Sequence, residues 1–398
     1  MSTIQILGAR VLLNGELSVA NVTISEGMIR STNDTLVSRA TTIDGRGLTL
    51  SPGFLDLQIN GAYGLDLATD PRSMWELGSK LVRHGVTAFL PTIISSPANV
   101  IDSALEALDH KPAGYLGAEP LGLHLEGPML NPQRPGAHPP AHLVGADLGV
   151  IDGWSRQAGV TLVTMAPELP VATTVIAELV RRGVTVAAGH SNATASEAAD
   201  GIQAGTTMVT HLFNAMAPMG HREPNLAGVA LAESRLRVSL IADGVHVDPI
   251  IIATIWKAKG AAGLALVTDA VAPMGLGPGR YEFADTAIIA DDRSVRTDHG
   301  VLAGSILTLD QAVRNLIAFT SCDLSEALAT VTTTPSAIVN ETGRGRIEPG
   351  ARADLVLVDP KLNIQITICA GQLAYIADCA RSRIATHDPI PDSAWKSS

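Results

Sequence analysis

The 398-residue chain is poor in several things that would each have pointed elsewhere. It has three cysteines, Cys322, Cys369 and Cys379, and no Cys-x-x-Cys pair. That excludes a cysteine-ligated zinc module and a disulfide-stapled scaffold, and makes the reducing cytoplasm the expected location. Aromatics are 3% of the residues, too few for the stacking platforms that grip single-stranded nucleic acid. Positive charge is short as well: 28 Lys and Arg face 39 Asp and Glu, a net charge of −11. A chain with that balance lacks the field a phosphate backbone needs, so no nucleic-acid partner is expected and any anionic ligand must be small and held locally. No apolar run approaches the roughly 18–20 residues that span a bilayer, and no membrane partner is expected. The first ten residues lack a basic stretch leading into an apolar core, so no secretory signal is expected either.

What is present is core material. Hydrophobic residues make up 46% of the chain and charged residues 17%, which excludes disorder. The two ends share one texture: short β-prone pieces around 4–7, 11–13 and 20–24, and again around 355–358 and 364–369, separated by Gly, Asn, Glu and Pro. Between them, short apolar segments end in polar residues or glycine and alternate with helix-like stretches such as 73–84, 99–108, 171–182 and 193–204. Eight such segments are found, at 54–60, 88–94, 122–127, 161–166, 185–190, 208–214, 238–243 and 264–269. Alternating strand and helix signals predict a parallel sheet under helices, and eight repeats predict a closed (β/α)₈ barrel. The expected organisation is a barrel over 52–345, a small β-sandwich domain built from both termini (1–51 and 346–390), and a C-terminal tail at 391–398.

In such a barrel, reactive groups belong at the carboxyl ends of the strands. Glu126 closes the third segment, His190 the fifth, His211 the sixth and Asp269 the eighth. Two histidines and a glutamate suit zinc or a similar divalent metal, and three protein ligands leave a position open for water. Asp269 is placed to take a proton from that water and return it to a leaving amine. His124 shares a strand face with Glu126 and is read as a supporting or satisfied core histidine.

These residues carry a resemblance to the N-acetylglucosamine-6-phosphate deacetylases of the amidohydrolase superfamily. It rests on Pro52-Gly53-Phe54-Leu55-Asp56, His124-Leu125-Glu126-Gly127-Pro128, Gly189-His190-Ser191, His211-Leu212-Phe213-Asn214-Ala215-Met216, Arg222-Glu223-Pro224, Asp243-Gly244-Val245-His246 and Val267-Thr268-Asp269-Ala270, in that order. The runs at 345–350 and 353–356 resemble the return to the β domain, and the likeness spans about residues 10 to 375. It implies one divalent metal per subunit on Glu126, His190 and His211, with zinc the first choice and iron, cobalt or manganese the alternatives. It implies Asp269 as catalytic base and acid, and His138 as the group that polarises the acetamide carbonyl. His246, with Ala137 and Leu302, would lie beside the sugar, Asn214 and Ala215 at its phosphate, and Arg222 would reach that phosphate from the partner subunit of a homodimer.

One departure matters. Many relatives end the first strand in His-x-His and hold a second metal there, whereas this chain has Gln58 and Asn60. Neutral amides are poor ligands for zinc-like ions, so one metal is expected, with Gln58 and Asn60 hydrogen-bonding water or substrate. The expected reaction is hydrolysis of N-acetylglucosamine 6-phosphate to glucosamine 6-phosphate and acetate. An epimeric amino-sugar phosphate deacetylase, a cyclic-amide hydrolase and a non-catalytic sugar-phosphate sensor are the rivals.

Overall fold

The computed structural model describes residues 3–13, 15–32, 37–284 and 286–385. The expected tail at 391–398, and residues 386–390 of the expected second β segment, lie outside the described residues.

The centre is the expected barrel. Its eight parallel strands are Phe54–Ile59, Val86–Ile93, Leu123–Glu126, Val160–Met165, Thr185–Ala188, Met208–Val209, Arg237–Leu240 and Leu264–Leu266, each paired with the next. The ring closes just past the last strand. Asn60 N–H donates to the Ala270 carbonyl at 2.8 Å, and Asp269 N–H to the Gln58 carbonyl at 2.8 Å. The strands are almost wholly buried, because side chains fill the barrel from within and helices cover it from outside. The covering helices include Met74–Leu81, Ala98–Asp109, Ala172–Arg181 and Ala195–Ala204.

Both termini build one mixed sheet around a core of its own, including Ile6, Val22, Ile43, Leu50, Leu355 and Ile366. Two pieces expected at 4–7 and 11–13 are a single strand, Ile4–Leu13. Gly8, read from sequence as a separator, has φ 68° and sits in a bulge: the register against Glu16–Ser25 slips between Ile6 and Ala9. That strand forks the sheet, since residues 4–7 pair with Thr41–Asp44 while Arg10 and Val11 pair with Thr49–Pro52.

A third element had no counterpart in the sequence reading. After the eighth strand the chain forms an antiparallel three-stranded cap, Gly279–Phe283, Thr286–Ala290 and Val295–Thr297. Its inner residues Phe283, Ile288, Ala290 and Val295 pack with Ile94 and Val271, which seats the cap at the barrel mouth.

Candidate active site

Glu126 is the last residue of the third strand, but the other three expected groups lie beyond the regular strands. His190, His211 and Asp269 follow strands that end at Ala188, Val209 and Leu266. All three adopt left-handed backbone conformations, with φ of 49°, 29° and 48°. Such conformations are costly for residues other than glycine and persist only where surrounding structure imposes them. Here each turns a side chain off the strand axis and over the mouth.

They converge. Glu126 Oε1 lies 3.2 Å from His190 Nε2 and 2.9 Å from His211 Nε2, and the two imidazole nitrogens are 3.2 Å apart. A tetrahedral site with bonds of ~2.1 Å has ligand–ligand edges of about 3.4 Å, so this triangle fits one small divalent cation. Three atoms rich in lone pairs packed this closely are well matched to a cation at their common point.

His138 joins the cluster, its Nε2 standing 3.5 Å from Glu126 Oε2, and its ligand atom falls within 4.8 Å of those of Glu126 and His190. Distance alone would admit it as a fourth ligand. Tautomers separate the two histidines. Ser95 backbone N–H can only donate, and it points at His138 Nδ1 from 3.1 Å. His138 therefore carries its proton on Nε2, facing the cluster as a donor. Burial above all pushes its pKa down to about 4, so the ring is neutral near pH 7. His190 is the reverse: Nδ1–H donates to the Arg134 carbonyl at 2.9 Å, which leaves the Nε2 lone pair for a metal.

Burial alone would raise the Glu126 carboxyl, but the imidazoles of His138, His190 and His211 facing it outweigh that and hold the group well below the usual carboxylate range. Asp269 shifts the other way. Burial and the neighbouring Glu126 charge push it up to about 6. Its Oδ1 accepts from Asn60 Nδ2 at 2.7 Å and from Gln58 Nε2 at 3.2 Å, while Gln58 Nε2 also donates to Glu126 Oε1 at 3.0 Å. Gln58 and Asn60 therefore orient the two carboxylates, a partnership that the sequence reading, with its water or substrate, did not contain.

His124 is a satisfied core histidine: Nδ1 donates to the Leu57 carbonyl at 3.1 Å, and Nε2 accepts from Thr164 Oγ1 at 2.7 Å. The segment that brings in His138 is stapled to the His190 loop through Glu168, which accepts from Asn131 Nδ2 (2.8 Å), Ser191 Oγ (2.7 Å) and Asn192 N–H (2.6 Å).

Around these groups lies a cavity of about 380 Å³. Asn60, Glu126, Ala137, His138, His190, His211, Asn214, Ala215, His246, Asp269 and Leu302 all line it. Asp243, quoted in a motif but given no role, fixes His246: its Oδ2 accepts from Nδ1–H at 2.6 Å, so Nε2 is free to face a ligand. Arg222 is exposed and is not part of this chain's own cavity lining. Gln58 lies beneath, behind the two carboxylates it holds. Sequence reasoning missed Ser95, whose signal is a backbone N–H, and Phe283 and Arg296, which come from the cap.

The model of the amidohydrolase family matches residues 49–374. The N-acetylglucosamine-6-phosphate deacetylase of Danio rerio is 35% identical over 387 residues, 92% of this chain and 96% of that protein. The N-acetylgalactosamine-6-phosphate deacetylase of a Shewanella species is 36% identical over 388 residues, 94% of this chain and 96% of that protein. Among solved structures, a mutant N-acetyl-D-glucosamine-6-phosphate deacetylase from Mycobacterium smegmatis, in complex with N-acetyl-D-glucosamine-6-phosphate, superposes with a TM-score of 0.86 at 30% identity, covering 95% of this chain and 100% of that one.

Proposed function

The chain belongs to the amidohydrolase family, in the branch of the N-acetylglucosamine-6-phosphate deacetylases, and we propose that it hydrolyses the acetamide of N-acetylglucosamine 6-phosphate to glucosamine 6-phosphate and acetate. The observation that carries the reading is the meeting of Glu126, His190 and His211 at mutual distances of 2.9–3.2 Å beside Asp269 and a neutral, Nε2-protonated His138.

Glu126, His190 and His211 are the ligands of one divalent cation, with zinc the first candidate. Such a cation supplies Lewis acidity, acidifying water toward neutral pH and polarising a carbonyl. The remaining work falls to the chain. Asp269, its Oδ1 held by Asn60 and Gln58, takes a proton from the attacking water and later delivers it to the departing sugar nitrogen. A carboxyl titrating near 6 suits both transfers. His138 donates from Nε2 to the acetyl oxygen as negative charge grows there, a contribution worth about 3 kcal/mol for a preorganised donor. His246 Nε2, exposed to the cavity by the Asp243 bond, receives a sugar hydroxyl, and Asn214 and Ala215 meet the phosphate. In a homodimer, the exposed Arg222 serves the neighbouring subunit's cavity. The cytoplasm is the proposed location, in keeping with three cysteines and no Cys-x-x-Cys pair. Among the described residues no helix is long and apolar enough to cross a membrane.

The test is acetate release from N-acetylglucosamine 6-phosphate and from its galactosamine epimer, alongside metal analysis of the same preparation. The glucosamine substrate is expected to be preferred, with about one metal per chain. His190→Asn keeps a residue that tolerates the left-handed backbone, and it is expected to lose metal and turnover together. Full turnover in that variant, or preference for the epimer, defeats the assignment.

A further inference from the structure

The cavity presents an electrostatic problem. It contains the carboxylates of Glu126 and Asp269, in a chain of net charge −11, yet the proposed substrate carries a phosphate. Among the described residues, Arg296 is the one lysine or arginine in the cavity lining. It sits on the last strand of the cap, Val295–Thr297, paired with Ile289 and bridged to Leu302. Val295 beside it turns into the cap core, so strand alternation puts Arg296 on the exposed face with Ile289, and its long side chain joins the cavity lining from that edge.

Its guanidinium is tethered, and the Asp291 carboxylate feels its charge without pairing with it. Nη1 donates to the Gly300 carbonyl at 2.9 Å, which tethers the head to the turn leading into Leu302. Among the described residues it forms no ion pair, whereas Arg280 of the same cap pairs with Asp298 through two bonds of 3.0–3.1 Å. A guanidinium has five N–H donors in a planar fork, and one tether leaves an edge that matches phosphate oxygens. A charge that served only solubility would need neither the tether nor a place in the lining.

We propose that Arg296 is an in-chain recognition residue for the substrate phosphate, reaching it from the cap side and setting the preference for phosphorylated over unphosphorylated amino sugar. The inference rests on the deacetylase reading and adds a specificity residue to it. It also gives the cap a function, since among the described residues the cavity lining holds no other lysine or arginine.

The experiment compares the metal-loaded wild type with R296Q and R296K on N-acetylglucosamine 6-phosphate and on N-acetylglucosamine, with inorganic phosphate as competitive inhibitor. For R296Q, the KM for the phosphorylated sugar and the inhibition constant for phosphate are both expected to rise about tenfold or more, the loss of a charge-assisted contact. Its kcat should be retained, its kcat/KM on the unphosphorylated sugar should stay within about threefold, and R296K should fall between wild type and R296Q. Unmoved KM and inhibition constants overturn the proposal, and so does an equal loss on both sugars, which would show a packing role for the cap. A wild type that releases no acetate from either sugar removes the deacetylase reading itself. A wild type active on the phosphorylated sugar, with R296Q indistinguishable from it, removes only the role of Arg296.

Discussion

Replacing Asp269 by Asn separates chemistry from architecture at this site. The amide keeps an oxygen where Oδ1 accepts from Asn60 at 2.7 Å and Gln58 at 3.2 Å, so the local frame survives with weaker, uncharged hydrogen bonds. Glu126, His190 and His211 are untouched, and metal content should equal that of the wild type. The ability to take up and return a proton is gone, which for a positioned acid–base group costs 10²–10⁴-fold in kcat, about 3–5 kcal/mol. In the metal-loaded wild type, kcat/KM should fall on the acid side where Asp269 takes up a proton, with a midpoint below the value of about 6 that holds without a cation on Glu126; the variant should lose that limb. Stability supplies an independent check of sign. An Asp raised from 3.8 to about 6 binds its proton more tightly folded than unfolded, so the stability it contributes is present at low pH and lost as pH rises from about 4 to about 6. Above that window the metal-free D269N chain should be more stable than metal-free wild type, by on the order of 2–3 kcal/mol in chemical denaturation. Acetate release within about threefold of wild type, at equal metal content, would refute the role given to Asp269.

Two further predictions concern the frame. Arg344 is buried between Asp354 (2.7 Å), Glu341 (3.3 Å) and Glu119, joining the barrel to the terminal sheet. Arg344→Met strands buried carboxylates that Arg352 only partly covers, and should cost about 3 kcal/mol in denaturant unfolding while leaving kcat of the folded enzyme intact; a loss below about 1 kcal/mol counts against it. Asp310 is pushed up by burial, but its bond to His84 and the charges of His84 and Arg314 hold it at about 2. A depressed carboxyl contributes stability that is present above about 4 and lost as pH falls toward 2, so Asp310→Asn should flatten that acid limb by about 2 kcal/mol in pH-dependent unfolding.

The parts of this molecule that could be read from residues are those governed by periodicity. Apolar segments bounded by polar ends mark all eight strands, because a barrel strand buried on both faces has no room for an alternating pattern. The ends of those segments also mark Glu126, His190, His211 and Asp269. What the pattern does not encode is the backbone's turn into left-handed conformations at three of them, imposed by neighbours remote in the chain, such as the Gln58 carbonyl that receives Asp269 N–H. The cap was illegible for a related reason. Its strands are three to five residues long and half exposed, so their apolar residues Phe283, Ile288 and Val295 are too scattered to stand out.

The same limit explains why the carboxylate partners of Gln58 and Asn60 were not foreseen. From sequence they are two amides where relatives carry metal-binding histidines, and the loss of ligands is all that shows. In the folded chain their N–H groups face Glu126 and Asp269, and a carboxylate can only accept, so each amide must turn its nitrogen toward the acid. These amides place neutral donors where two buried carboxylates approach each other. Each cation at this centre would lower the Asp269 pKa, whereas amide donors offset less of the burial and of the Glu126 charge that raise it. If the centre holds one metal, as proposed, placing histidines at both positions should move the acid limb of kcat/KM to lower pH as a second metal binds.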